Sequence, residues 1–274
     1  MLSIAKAHAY GNDFLFVPAQ QVAGLRLDEL SRRLCDRHSG LGGDGVIYYT
    51  MASDGTARMK LINTDGSPSE LSGNGLRCLA ALVMHQREGA GMAPLTEVRV
   101  DTDAGRKTLS LVSRTGGRYT FRAALGQPER VTEESLDAAG ETLRVSTLAI
   151  GNPQCVAVMP ELPDMPRFHR LGPALATHPR FAEGTNVEFA VIEAPDRVRI
   201  LIWERGVGPT QASGTGACAS AIAAIAHGGA ARDVQVIAPG GTQRVEWTDE
   251  GIFLTGWAEV VVDGRWLPSH AAPI

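Results

Sequence analysis

Two short stretches carry residue types that could do chemistry: Ser72-Gly73-Asn74-Gly75 and Ser213-Gly214-Thr215-Gly216. Both read Ser-Gly-polar-Gly. An apolar run follows each, over 76–84 and 217–225, with a cysteine just inside it at Cys78 and Cys218. The copies lie close to half of the 274-residue chain apart, the spacing of an internal duplication. A helix that is apolar nearly all round belongs in a core, and its first N–H groups have no partner within the helix. Glycines let a ligand approach that backbone, and the helix dipole favours a negative charge there. The expected ligand is an anion. A carboxylate suits a turn without lysine, and the P-loop pattern of nucleotide phosphate sites is absent. One Ser-Gly-Asn-Gly alone reads as a hairpin turn; its repetition before two apolar runs favours a paired functional site.

Other polar breaks punctuate the chain: Gly11-Asn12-Asp13-Phe14, Asn63-Thr64-Asp65-Gly66, Gly151-Asn152-Pro153-Gln154 and Thr185-Asn186. Singly, each is a turn more often than a ligand contact. Together with the two helix starts they supply neutral donors and acceptors suited to amino and carboxyl groups. Glu204-Arg205-Gly206 follows a strand-like run ending at Trp203, nine residues before Ser213. It reads either as a surface ion pair or as a device orienting a catalytic group and a ligand's charged end.

The elements that must position these residues are mostly strands. Strand-like patterns cover 3–9, 46–51, 57–62, 97–103, 107–113 and 118–123. A second series covers 143–150, 155–159, 187–192, 197–203, 233–238, 243–247 and 258–262, with Gly- and Pro-containing turns between them. Outer helices are expected over 27–37, where Leu27, Leu30 and Leu34 mark an apolar face, and near 171–177. Arg32, Arg33 and Arg37 read as a solvated helix face. Rich in Pro, Glu and Asp, 126–141 is the expected interdomain connection. The prediction is an α+β protein of two pseudo-symmetric, β-barrel-like domains, each wrapped around a central buried helix. The domains run over 1–126 and 127–262, with 263–274 returning to the first.

A formal net charge of −4 and 20% charged residues give no general attraction to nucleic acid or membrane. No apolar run reaches membrane-spanning length and no signal segment opens the chain. Cys35, Cys78, Cys155 and Cys218 are too far apart for a metal motif, and the seven histidines form none. Buried free thiols in a reducing cytoplasm are expected, with no metal and no cofactor.

The ordered motifs resemble the diaminopimelate epimerase family, among cofactor-independent amino-acid racemases and epimerases that include proline racemase. The resemblance runs nearly end to end. It begins with Gly11-Asn12-Asp13-Phe14, Gly42-Gly43-Asp44-Gly45 and Asn63-x-Asp65-Gly66-Ser67, then Ser72-Gly73-Asn74-Gly75-x-Arg77-Cys78. It continues through Gly151-Asn152-Pro153, Asn186, Glu204-Arg205-Gly206-x-Gly208-x-Thr210-Gln211-Ala212 and Gly214-Thr215-Gly216-Ala217-Cys218, and ends with Pro239-Gly240-Gly241 and Thr255-Gly256.

The resemblance implies an active site in a cleft between two domains, a homodimer, and a place in lysine and peptidoglycan-precursor synthesis. It implies inversion at an α-carbon by two cysteines, one removing the proton as thiolate and one returning a proton as thiol. Asn12, Asn63, Asn152, Asn186, Glu204 and Arg205 would hold the distal amino-acid end or support the bases. The Gly73-Asn74 and Gly214-Thr215 amides would take the reacting carboxylate. Here the residues at the two base positions are Ser72 and Ser213, and Gln154 replaces the histidine expected after Gly-Asn-Pro. A serine hydroxyl is a far weaker acid than a thiol and needs a neighbour to take its proton. Glu204 is the remaining candidate for that role at the second serine. Cys78 and Cys218 lie inside the helices and point into the core, so they are no substitutes. Two alternatives stay open: a non-catalytic amino-acid binder, and a related isomerase or dehydratase of the proline racemase type.

Overall fold

The computed structural model describes residues 1–69, 72–103 and 105–267. The end of the expected return segment, 268–274, lies outside them. In chain order the first half contains β1 (Leu2–Ala9), β2 (Asn12–Pro18), α1 (Leu27–Cys35), β3 (Gly45–Met51), β4 (Ala57–Asn63), β5 (Pro68–Ser69), α2 (Gly73–Gly89), β6 (Glu97–Thr102), β7 (Gly105–Thr115) and β8 (Arg118–Gly126). The second contains β9 (Glu129–Ala138), β10 (Glu141–Ala149), β11 (Pro153–Val158), α3 (Met165–Ala176), β12 (Asn186–Ala194), β13 (Arg197–Glu204), β14 (Gly208–Thr210), α4 (Gly214–His227), β15 (Asp233–Ala238), β16 (Gly241–Thr248) and β17 (Gly251–Trp266).

Contacts divide the chain into two compact units. One is Met1–Ala123 with the segment from Gly256 onward, and the other is Ala124–Thr255. In the first unit β1 pairs β2 antiparallel, β2 pairs β3 parallel, β3 pairs β4 antiparallel and β4 pairs β6 parallel. β6–β7 and β7–β8 follow antiparallel, and β17 closes the ring by pairing both β8 and β1. The result is a closed eight-stranded barrel. The second unit repeats the sequence of pairings: β10–β11 antiparallel, β11–β12 parallel, β12–β13 antiparallel, β13–β15 parallel, then β15–β16 and β16–β17 antiparallel. The fold is α+β, as expected from the pattern of elements.

Both apolar runs form the helices that the strands enclose. α2 is buried from Asn74 to Met84 and packs on β1, β2 and β6. α4 packs against β10, β11, β12, β13, β15 and β16. Ile200, Ile202, Val234, Val236 and Leu254 are among the side chains that surround it. Burying each such large aliphatic side chain contributes roughly 1.5–3 kcal/mol. All four cysteines are free and buried, and burial pushes the Cys78 thiol well up, so it makes no ready base.

Three local readings need correction. The expected connection over 126–141 is strand for most of its length: β9 pairs β10 from Glu141↔Ala138 to Ala149↔Glu129. Its polar residues face solvent or ion pairs, Glu133 with Arg144 and Glu134 with Arg180, while Leu136 and Ala138 are buried. The helix expected to reach Arg37 stops at Cys35, because Asp36 Oδ1 accepts the N–H groups of His38 and Ser39 and turns the chain. Arg37 therefore lies off the helix and bridges Asp13 and Asp44. Finally, α3 begins at Met165, capped by Asp164, which accepts from Arg167 N–H at 2.8 Å.

Candidate functional site

Each serine is the N-cap of its helix, with extended backbone: φ −126° and ψ 122° at Ser72, φ −132° and ψ 130° at Ser213. Ser72 Oγ accepts Gly75 N–H at 3.1 Å, and Ser213 Oγ accepts Gly216 N–H at 3.1 Å. This is the ordinary capping bond, made twice in the same geometry. The first bonds of the helical ladder are Leu76 N–H to Ser72 C=O (2.8 Å) and Ala217 N–H to Ser213 C=O (3.0 Å). The amides of Gly73 and Asn74, and of Gly214 and Thr215, precede that ladder and sit at the positive end of the dipole.

In the first unit, the starts of β2 and β3 and the end of β4 share one end of the barrel, since Phe14 pairs Gly45 and Gly45 pairs Asn63. A two-residue hairpin, Tyr10-Gly11, brings β1 into β2 with φ of 56° and 88°, the left-handed pair that a type I′ turn requires. Asn12 then meets α2: Asn74 Nδ2 donates to Asn12 Oδ1 at 3.1 Å, and Asn12 Nδ2 donates to Asp44 Oδ2 at 2.7 Å. Asp44 also receives Asp13 N–H (3.0 Å) and Arg37 (2.9 Å). Asp13 pairs with Lys6 and Arg37, both at 2.8 Å. Beneath Asn74, the guanidinium of Arg77 donates to Asn74 Oδ1 and stands over the Tyr10 ring, 5.8 Å from its centroid. Arg77 is only 1% exposed, so a positive charge lies one turn inside the helix mouth. Asn63 bonds within its own turn, donating to Ser67 Oγ at 3.0 Å.

In the second unit the corresponding strand ends bring together Asn152, Gln154, Asn186 and Glu204. Gln154 pairs Asn186 across the parallel β11–β12 ladder, and Val187 pairs Trp203. Asn186 Oδ1 accepts the backbone N–H of Arg205 at 2.9 Å, which turns its NH2 toward Gln154. Gln154 must present its oxygen there. So turned, its oxygen accepts from Asn186 Nδ2 (3.3 Å) and Thr215 Oγ1 (3.2 Å), and its nitrogen donates to Glu188 Oε1 and Oε2 at 3.0 and 3.3 Å. Asn152 lies 2.6 Å from that oxygen, so with Gln154 turned this way Asn152 presents its NH2 to it. Thr215 Oγ1 is 3.4 Å from Ser213 Oγ, and Gln243 Nε2 donates to Ser213 C=O at 3.4 Å. Arg205 spends its guanidinium on the Glu183 carbonyl, at 2.9 Å.

Glu188 is the residue that sequence reading missed. Its side chain is 0% exposed, and burial, reinforced by the charge of Glu204, pushes its carboxyl well above the usual glutamate range. Strand alternation gives its direction once the packing of its neighbours is known. On β12 Val187 and Phe189 pack with α3 while Ala190 packs with α4, so Glu188 faces the central helix. Asp44 and Arg77 stood inside quoted motifs without a role; the first anchors Asn12 and the second anchors Asn74.

A sequence model of the family described as diaminopimelate epimerase matches residues 4–131 and 146–261. The chain is 38% identical to a diaminopimelate epimerase from Desulfitobacterium hafniense, over 96% of this chain and 97% of that one. It is 38% identical to a diaminopimelate epimerase from Desulforudis audaxviator, over 97% and 99%. Among solved structures, the fold is similar to that of a probable proline racemase from Agrobacterium radiobacter, with TM-score 0.71, 15% identity, and coverage of 100% of this chain and 95% of that one.

Proposed function

The chain belongs to the diaminopimelate epimerase family, and on that premise we propose that it interconverts LL- and meso-diaminopimelate by moving the α-proton between Ser72 and Ser213. The observation that carries this reading is the duplicated cap: two serines, each fixed by a glycine N–H at 3.1 Å and each followed by two amides ahead of the helical ladder. The amides of Gly73 and Asn74, and of Gly214 and Thr215, receive the reacting carboxylate. Asn12, Asn63, Asn152, Asn186, Glu204 and Arg205 hold the distal end of the substrate. Glu204 also supports Ser213 as a base. No cofactor takes part.

Serine in place of cysteine makes both proton-handling groups poorly matched to neutral pH. General acid–base catalysis is worth roughly 10²–10⁴-fold, so the serine pair slows the reaction by up to several kcal/mol of barrier. The test is deuterium uptake at the α-carbon of LL- and meso-diaminopimelate, with the chain as it stands and with Ser72→Cys plus Ser213→Cys. Exchange that rises in the double variant supports the reading. Silence in both forms overturns it.

One observation favours a second reading, a binder that does not turn its ligand over: the described partner of Ser72 Oγ is an N–H donor, and no base is among its described hydrogen-bond partners. Calorimetric binding of diaminopimelate with no α-deuteration would select it. A cytoplasmic homodimer belongs to the same proposal, and sedimentation of the pure chain tests the dimer. Among the described residues no helix is long and apolar enough to cross a membrane.

A further inference from the structure

The two units place different chemistry at one corresponding spot. Ile47 pairs Leu61 in the first unit as Glu188 pairs Ile202 in the second, and Phe14 sits across from Gly45 as Gln154 does from Asn186. The match extends to the helices. A Cβ on Gly75 would stand 2.8 Å from Ile47 Cδ1, and one on Gly216 would stand 2.6 Å from Glu188 Oε1. The first unit thus fills this place with Phe14 and Ile47, and the fold needs no polar group there. The second fills it with Gln154 and Glu188, both buried. A buried amide and carboxyl cost desolvation that hydrocarbon does not, so stability alone does not account for them.

The hydrogen bonds around the pair run in one direction. Gln154 NH2 donates to Glu188, which fixes Gln154 oxygen toward Thr215 and Asn186. Thr215 therefore gives its hydroxyl proton to Gln154, and its oxygen is left to accept from Ser213 at 3.4 Å. Ser213 oxygen meanwhile accepts Gly216 N–H.

We infer that Glu188 is a positioning residue: with Gln154 it forms a buried acid–amide pair that orients Thr215, and through Thr215 the Ser213 hydroxyl, so that Ser213 turns a lone pair outward and its proton inward. This rests on the proposed reading of Ser213 as a proton-handling group. It adds that the Ser213 hydroxyl is held in one orientation.

Three variants test it: Glu188→Gln, which keeps the shape and the bond to Gln154; Glu188→Met; and Gln154→Met with Glu188→Met, which mimics the apolar filling of the first unit. We expect the double Met form to unfold at or above the parent's temperature, because an apolar pair of similar volume replaces a buried polar one, and Glu188→Met alone to unfold below it, because the buried Gln154 NH2 loses its acceptor. We expect the protection of the Gln154 side-chain amide protons, read by nitrogen-edited NMR, to be lost in Glu188→Met and kept in Glu188→Gln. In α-deuterium exchange with LL-diaminopimelate, kcat falls about tenfold or more in the Met forms with a smaller change in KM, as displacement of a positioning group predicts. Glu188→Gln stays within about twofold of the parent. Unchanged Gln154 protection in Glu188→Met overturns the inference, and so does equal loss of kcat in the Gln and Met forms. If the parent neither binds nor exchanges diaminopimelate, the proposed function fails, and the amide protection still decides whether the pair exists. Should Glu188→Met not fold, Thr215→Val against Thr215→Ser reads the same chain from its other end, with loss in Val and retention in Ser expected. Equal behaviour of those two overturns it.

Discussion

The helix mouths of the two units share a backbone and differ in what stands behind it. Behind Gly75 is the methyl end of Ile47; behind Gly216 is a carboxyl oxygen of Glu188. The first mouth has its ionised groups on the rim, in the chain Asn12–Asp44–Arg37–Asp13–Lys6, and a positive charge inside at Arg77. The second has a buried carboxyl inside, Glu188, which burial and the charge of Glu204 push above the usual glutamate range. The strand-and-helix frame holds a capping serine in the same way in both units, while the residues one layer back differ in kind.

The comparison is broken most sharply by adding one methyl group to each mouth. Gly216→Ala drives a Cβ against a carboxyl whose hydrogen bonds are already committed, combining overpacking with a lost buried bond, and is expected to cost about 3 kcal/mol or more. Gly75→Ala meets the end of a flexible isoleucine and makes ordinary contact with Ser72, and is expected to cost about 1–2 kcal/mol. Urea unfolding of the two variants side by side measures the gap; equal losses would mean that Glu188 is not held. Next comes Asn12→Ala, which leaves the buried Asn74 amide without its Asn12 acceptor and is expected to cost about 1–2 kcal/mol in the same unfolding measurement.

The two halves also respond to pH in opposite senses. At Asp13 burial raises the carboxyl pKa, but hydrogen bonds and charge from Arg37 and Lys6 outweigh it and hold the group below the usual aspartate range. Its contribution is present above the ordinary aspartate value and is lost as pH falls through the depressed one. Glu188 is raised, so its contribution is complete below the ordinary glutamate value and is lost as pH climbs through the elevated one. Unfolding free energy should therefore decline as pH rises from the ordinary glutamate value towards the elevated one, by up to about 1.4 kcal/mol per pH unit, and Glu188→Gln should remove that slope. Asp13→Asn should flatten the acid side instead. The smallest effect expected is at Glu134→Gln, which breaks an ion pair between a half-buried carboxylate and the exposed Arg180 and should cost less than about 1 kcal/mol.

The frame was legible where periodicity and composition agreed. Two apolar runs preceded by Ser-Gly-x-Gly read as core helices, and both are buried helices capped by those serines. β2 escaped because it is buried from Asp13 to Val17, giving a continuous apolar run without the alternation that marks a strand. β9 escaped for the opposite reason: its solvent-facing side is so acidic that it reads as a linker. Glu188 was invisible because a single charged letter inside Val-Glu-Phe says nothing of which face it takes until the strand's neighbours are known. The turn of the Gln154 amide lies further still from the letters, since Arg205 N–H sets it through Asn186.

β17 has a consequence for how the molecule is made. It supplies the stave between β1 and β8, and that stave comes from Gly256 onward, after the whole second unit has been synthesised. On the ribosome the first barrel therefore waits as an open sheet with two bare edges, a state prone to wrong pairing. The half of the chain that is translated first is the half that is finished last.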